Sequence, residues 1–125
     1  MLYHRNVNWD KEFDNKINEA LDNNTYYVYS KHLKSNTDYK HNIDKSKLNT
    51  IIHKIKHKHY KAFECEIVNN KLIKFAIRTS YNYKKDISIV FMEKDNCILI
   101  KTAWLNNKKD KHFTLKKENY LEKCN

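Results

Sequence analysis

Two histidines, one arginine and a lysine-rich segment carry the chemistry that this chain can offer. His32 closes the stretch "YSKH", Arg78 sits in "FAIRTS", and His112 and Thr114 alternate in "DKHFTL". A neutral imidazole can take or give a proton near neutral pH, so His32 and His112 are candidates to divide general base and general acid duties. A guanidinium can clamp a phosphate through two parallel hydrogen bonds, a geometry that an ammonium does not reproduce. Arg78 and Lys101 are therefore expected to hold a phosphate, and Thr114, which points the same way as His112 at period two, to orient it. This set suffices for RNA cleavage without metal or cofactor. The 2′-hydroxyl is the internal nucleophile, and the protein need only move its proton, neutralise the phosphorane and protonate the leaving oxygen.

Each of these residues also has a plain structural use. On a strand, Arg78 can bridge to Glu64 or Glu66 of a neighbour instead of a ligand. Trp104 can stack a base or anchor its strand in the core, and the core is the favoured place. His53 and His57 stand four apart on a helix with His59 just beyond, a spacing that can chelate a divalent ion. No carboxylate lies between Asp44 and Glu64, however, so this cluster reads as a solvated basic face and no metal site is expected. The three cysteines, Cys65, Cys97 and Cys124, form no CxxC pair, which speaks against a disulfide framework or a thiolate zinc site.

Those residues must be positioned by a single domain of 125 residues, long enough for one core. Residues 1–24 hold an amphipathic helix in which Trp9, Phe13, Ile17 and Leu21 recur every four positions. Residues 25–59 hold a strand ending near His32, a polar loop, and a basic helix capped by Asp44, with Leu48, Ile51, Ile52 and Ile55 on one stripe. From 60 to 115 the period becomes two: Phe63/Cys65/Ile67, Ile73/Phe75/Ile77, Ile87/Ile89/Phe91 and Ile98/Ile100 mark strands of an antiparallel meander. A short closing strand at "HFTL" and a tail over 116–125 complete the chain. The expected fold is α+β, with two helices on one face of a four- to five-stranded antiparallel sheet. The other face, carrying Lys74, Arg78, Ser80, Ser88 and Lys101, is then the working surface.

The chain contains no glycine and no proline. Asparagine tolerates positive φ best after glycine, so "VNNKL" (68–72), "EKDNC" (93–97) and "WLNNKK" (104–109) are the predicted tight turns. The same composition, rich in Lys, Asn, Ile and Tyr, suggests an AT-rich genome, which accounts for part of the lysine excess.

Charge narrows the partner. The net charge is +10, and it is unevenly spread: residues 1–44 hold six Lys/Arg against seven Asp/Glu, residues 45–125 nineteen against eight. Such a field favours RNA or another polyanion, with Lys74, Lys101, Trp104, Lys108, Lys109 and Lys111 as contacts. A mean hydropathy of −0.94 and the lack of a long apolar run argue against a membrane and for action in the cytoplasm.

The segments "SKH" (30–32), "AIR" (76–78) and "TAWLNNKKDKHFTL" (102–115) resemble small phage- and plasmid-borne proteins allied to the RelE/barnase/EndoU/colicin-type (BECR) ribonuclease-toxin superfamily. The resemblance spans roughly residues 25–120. It implies a metal-independent toxin-type ribonuclease encoded by a phage or mobile element, with His32, Arg78, His112 and Thr114 at its site and Trp104 and Tyr120 nearby. An acidic antitoxin or immunity protein is the implied partner. Many members carry an Arg soon after the first histidine, where this chain has Leu33, Lys34, Ser35 and Asn36. The alternative is a basic binding protein that holds nucleic acid or inhibits an acidic host defence protein without catalysis.

Overall fold

The computed structural model of the chain describes residues 1–23, 26–31, 33, 43–55, 60–94 and 97–109. Six strands, β1 (Leu2–His4), β2 (Tyr27–Tyr29), β3 (Lys61–Val68), β4 (Lys71–Ser80), β5 (Lys85–Lys94) and β6 (Cys97–Asn107), form one sheet. Its order is β1-β3-β4-β5-β6-β2. Two helices, α1 (Lys11–Asn23) and α2 (Lys45–Lys54), cover one face. The α+β class and the meander β3–β6 follow the sequence pattern. The sheet has six strands instead of four or five, and it is mixed, because β2 runs parallel to β6.

β1 is the strand the pattern did not mark, β2 lies within the strand expected after residue 25, and the two form the edges of the sheet. β1 is three residues long, too short for a periodicity to mark it. Arg5 holds it in place: its Nε donates to the Ala62 carbonyl at 2.5 Å, its guanidinium pairs with Asp14 at 2.5 Å, and it lies 4.6 Å over the Trp9 ring. β2 is shorter than its apolar run suggested. It stops at Tyr29, where Ser30 donates its N–H to the Ile100 carbonyl and its hydroxyl to the Lys101 carbonyl.

The helices form for the reasons their sequences give. Asp10 Oδ1 accepts the Glu12 N–H ahead of α1, and Glu12 and Asp14 place negative charge on its first turn. Ile17, Ala20 and Leu21 then bury one stripe. Asp44 caps α2 through the Lys47 N–H at 3.1 Å. Leu48, Ile52 and Ile55 are buried and Ile51 half-buried, as the spacing predicts. These side chains meet Phe75, Ile77, Ile87, Ile89, Phe91, Ile98 and Ile100 in the main core.

Three register shifts decide what lies on the opposite face. Ala62 pairs with Ile77 and Glu64 with Ala76, so Phe63 is an inserted residue on β3. Ile73 is inserted in the same way on β4, and Lys101 on β6, since Val90 pairs with Thr102 and Phe91 with Ile100. A bulge resets the in-out alternation of everything beyond it. Phe63 therefore leaves the main core, contrary to the Phe63/Cys65/Ile67 pattern, and joins Ala76, Val90 and Trp104 in a second cluster. Trp104 anchors its strand as expected, but in this second cluster, half-buried, instead of among the residues under the helices. Past the Lys101 bulge, Ala103 and Leu105 turn inward instead.

Candidate nucleic-acid interface

The far face of the sheet is not the exposed working surface that alternation implied. Arg78, paired with Ser88 across β4 and β5, is only 5% exposed, and Ser88 only 2%. The Arg78 Nε donates to Asp86 Oδ2 at 3.1 Å, and its Nη2 to the Asn107 carbonyl at 3.0 Å. Its acidic partner is thus Asp86 on β5, two residue pairs further along, instead of Glu64 or Glu66 on β3. Asp86 also accepts from Lys108 Nζ at 3.0 Å, and Lys108 donates to Ser80 Oγ at 2.9 Å. Ser88 donates to Asn106 Oδ1 at 2.7 Å, and Lys85 Nζ to Asn107 Oδ1 at 2.6 Å. The Asn106/Asn107 pair, expected to make a turn, is the last part of β6 and serves as a set of acceptors. The chain turns only at Lys108 and Lys109.

The remaining site residues are scattered. Lys74 is half-buried on the far face, opposite Glu66 and Met92, toward the other end of the sheet from Lys108. Lys101 is exposed at its bulge. Lys109 is exposed beyond β6, and Trp104 is half-buried against Phe63, Ala76 and Val90. His32, Lys111, His112, Thr114 and Tyr120 lie outside the described residues, as do His57, His59 and the "HFTL" segment. The residues flanking His32 are placed: Ser30 is bonded to β6, and Leu33 donates its N–H to Ser30 Oγ. Counted from β4 across β5 and β6, the β2 edge stands three strand spacings, about 14 Å, to the side of Arg78. Ser30 is level with Ile100 and Lys101 whereas Arg78 is level with Trp104, which separates them further along the strands. His53 is exposed on α2, and no cluster of three or more metal-ligating side chains occurs among the described residues.

What the structure does bring together is a set of cations and aromatics that sequence order disperses. The four-residue connection Tyr81–Lys84 between β4 and β5 folds around Asn82, whose Oδ1 accepts the N–H groups of Lys84 and Lys85 at 2.9 and 2.8 Å. Its tip holds Tyr83, 83% exposed, with Lys84 Nζ 5.4 Å from the ring centre. Lys108 docks alongside by donating its N–H to the Lys84 carbonyl. From the other layer α2 contributes Lys45, Lys47 and Lys54. Lys47 Nζ lies 4.5 Å over the Tyr81 ring, and the Tyr81 hydroxyl accepts the Asp44 N–H. The two carboxylates described here are both engaged, Asp44 as the helix cap and Asp86 between Arg78 and Lys108.

At the opposite end of the sheet carboxylates enter the surface. Lys16, Glu19 and Glu93 line a shallow cleft of about 180 Å³ with Asn23 and Leu72. Sequence reasoning anticipated the lysines at 108 and 109, yet missed that "YNYKK" (81–85) and α2 would meet them. The signal was the Asn82 turn residue between two tyrosines.

No family model, curated protein or solved structure matches the chain. Among the described residues, no helix is long and apolar enough to cross a membrane.

Proposed function

We propose that the protein binds nucleic acid at the end of the sheet where α2, the β4–β5 connection and the last residues of β6 meet. The observation that carries this reading is the gathering at one end of the sheet of Lys47 and Lys54 from α2, Lys84 and Lys85 from the β4–β5 turn, and Lys108 and Lys109 after β6, with an exposed Tyr83 beside Lys84. Among the described residues the carboxylates there, Asp44 and Asp86, are already engaged. Lysines supply the sequence-independent attraction to phosphate, and an exposed ring offers a base a stacking surface.

The toxin-type ribonuclease expected from the resemblance is a narrower form of the same reading. It needs His32, His112 and Thr114, which lie outside the described residues, and a phosphate clamp at Arg78, whose guanidinium is committed to Asp86 and Asn107. Support therefore rests on binding, and cleavage becomes one outcome of the test.

That test is fluorescence anisotropy of a labelled single-stranded RNA across a salt series, with the RNA then run on a denaturing gel. Affinity is expected to fall on the order of tenfold or more from about 50 to about 200 mM salt. Replacing Lys84 and Lys109 together by Ala should reduce the log–log salt slope by about two. Intact RNA marks a binding protein, and fragments ending in a 2′,3′-cyclic phosphate in EDTA mark the ribonuclease. No binding at about 50 mM salt would overturn both and favour an acidic protein partner.

A further inference from the structure

A groove of about 350 Å³ opens where α2 passes the end of β4. Ile51, half-buried, forms its apolar floor above the fully buried Ile55, and the hydroxyl residues Thr50, Thr79 and Ser80 line its sides. Lys47 and Lys54 stand at the rim, seven residues apart on the helix, which is two turns or about 10.5 Å along its axis. Ile51 projects from the same side of the helix between them. The rim is held in shape. Lys47 rests on the Tyr81 ring, and Ser80 Oγ is held by Lys108, which is itself paired with Asp86.

These surfaces select an occupant by chemistry. Its body must be apolar on a face, to lie against Ile51, and its edges polar, to meet the threonine hydroxyls. Negative charge must flank that body to reach Lys47 and Lys54. An inorganic phosphate leaves the floor unused, and an acyl chain leaves the hydroxyls unused. A nucleobase carried between its own phosphates satisfies all three requirements. A base inside a duplex does not, because its faces are stacked and its edges paired until it is extruded.

We infer that this groove holds one unpaired nucleotide, its base on Ile51 and its flanking phosphates on Lys47 and Lys54, so that the protein selects single strands over duplexes. The inference rests on the reading of the basic end as a nucleic-acid surface, and it adds the substrate class.

The experiment compares a labelled single-stranded 12-mer with the matching duplex by anisotropy, for the wild type and for Thr50→Trp. The substitution fills the groove from an exposed helical position. The wild type should prefer the single strand on the order of tenfold, the size of one base contact. Thr50→Trp should abolish that preference and keep the salt slope. In parallel, titration of the wild type with adenosine 5′-monophosphate should shift the amide resonances of Thr50, Ile51, Thr79 and Ser80. A preference unchanged in a folded Thr50→Trp, or nucleotide shifts that miss the groove, would overturn the inference and leave the basic surface standing. Absence of binding to either oligonucleotide would remove the nucleic-acid reading itself. Should Thr50→Trp fail to fold, the nucleotide titration on the wild type decides alone.

Discussion

On the face covered by α1 and α2, the sheet presents Phe75, Ile77, Ile87, Ile89, Phe91 and Ile100, and helix side chains complete their burial. On the opposite face the central residues are small or polar, Ala76, Val90, Ser88 and Arg78, yet they too are at most 5% exposed. There the rings of Phe63 and Trp104, brought across by bulges, pack on Ala76 and Val90. Arg78 is neutralised in place by Asp86. The first face is buried by adding a layer. The second is closed by resetting the strands' own alternation and pairing the charge that remains, so an outward polar residue in a strand pattern is no guarantee of an available one.

Replacing a core ring by alanine should open the widest gap between the faces. Phe91→Ala removes a fully buried ring stacked 5.0 Å from Phe75 and should lower unfolding free energy by about 3–5 kcal/mol in urea titration. Trp104→Ala, half-buried, should lose about 2 kcal/mol. Equal losses would make the far face a second core, and the contrast drawn here would fail.

Next in size is the ion pair. Asp86→Ala strands a guanidinium that is 5% exposed, with the Asn107 carbonyl still beside it, and should destabilise by about 3 kcal/mol. Adding Arg78→Met should recover most of the loss, since a matched apolar replacement leaves no buried charge. The opposite pattern, in which Arg78→Met alone leaves stability intact but weakens RNA binding, would return Arg78 to ligand recognition.

How far the chain announced all this depends on how local each signal is. The Phe13/Ile17/Leu21 stripe of α1, the stripe of α2, the Asp44 cap and the four meander strands are set by neighbours within a turn or a pleat, and they appear where the pattern puts them, although Trp9 precedes α1 instead of opening it. The three bulges are not local. Phe63, Ile73 and Lys101 are inserted because of how two strands register, and an uninterrupted period-two count then misassigns Phe63 and Trp104. β1 escaped because three residues carry no period, and the parallel pairing of β2 depends on a partner some seventy positions away. The basic end was half legible: the lysines at 108 and 109 stood out, but their meeting with Lys47, Tyr81 and Tyr83 is a product of topology.

A smaller effect separates the covered face by pH. Burial first, then the negative charges of Glu64 and Asp14, push the Cys65 thiol from its ordinary 9.0 up to about 12. The native thiol thus keeps its proton while the unfolded one begins to lose it near pH 9. Stability from this group is complete below about pH 9 and declines toward pH 12, by about 1.4 kcal/mol per pH unit. Tyr60, pushed from 10.0 to about 12 mainly by burial, adds to the decline. Urea midpoints at about pH 8 and about pH 10.5 should differ less in Cys65→Ala than in the wild type. An unchanged difference would place the alkaline sensitivity elsewhere.

The smallest predicted effect distinguishes the two ends of the sheet through the way each uses asparagine. Between β3 and β4, Asn69 and Asn70 adopt φ of 52° and 64°, the left-handed pair of a two-residue hairpin turn, and here the residue supplies a conformation that glycine would supply as well. Between β4 and β5, the Asn82 side chain supplies acceptors for the Lys84 and Lys85 N–H groups, which glycine lacks. Asn70→Gly should therefore change stability by less than about 0.5 kcal/mol, and Asn70→Ala should lose about 1 kcal/mol to the left-handed strain of a Cβ. Asn82→Gly should also lose about 1 kcal/mol through its missing acceptor. It should in addition weaken RNA binding, because the turn that presents Tyr83 and Lys84 is no longer fixed. If Asn82→Gly loses stability but keeps full RNA affinity, the β4–β5 connection supports the sheet and the nucleic acid is held by α2 and β6 alone.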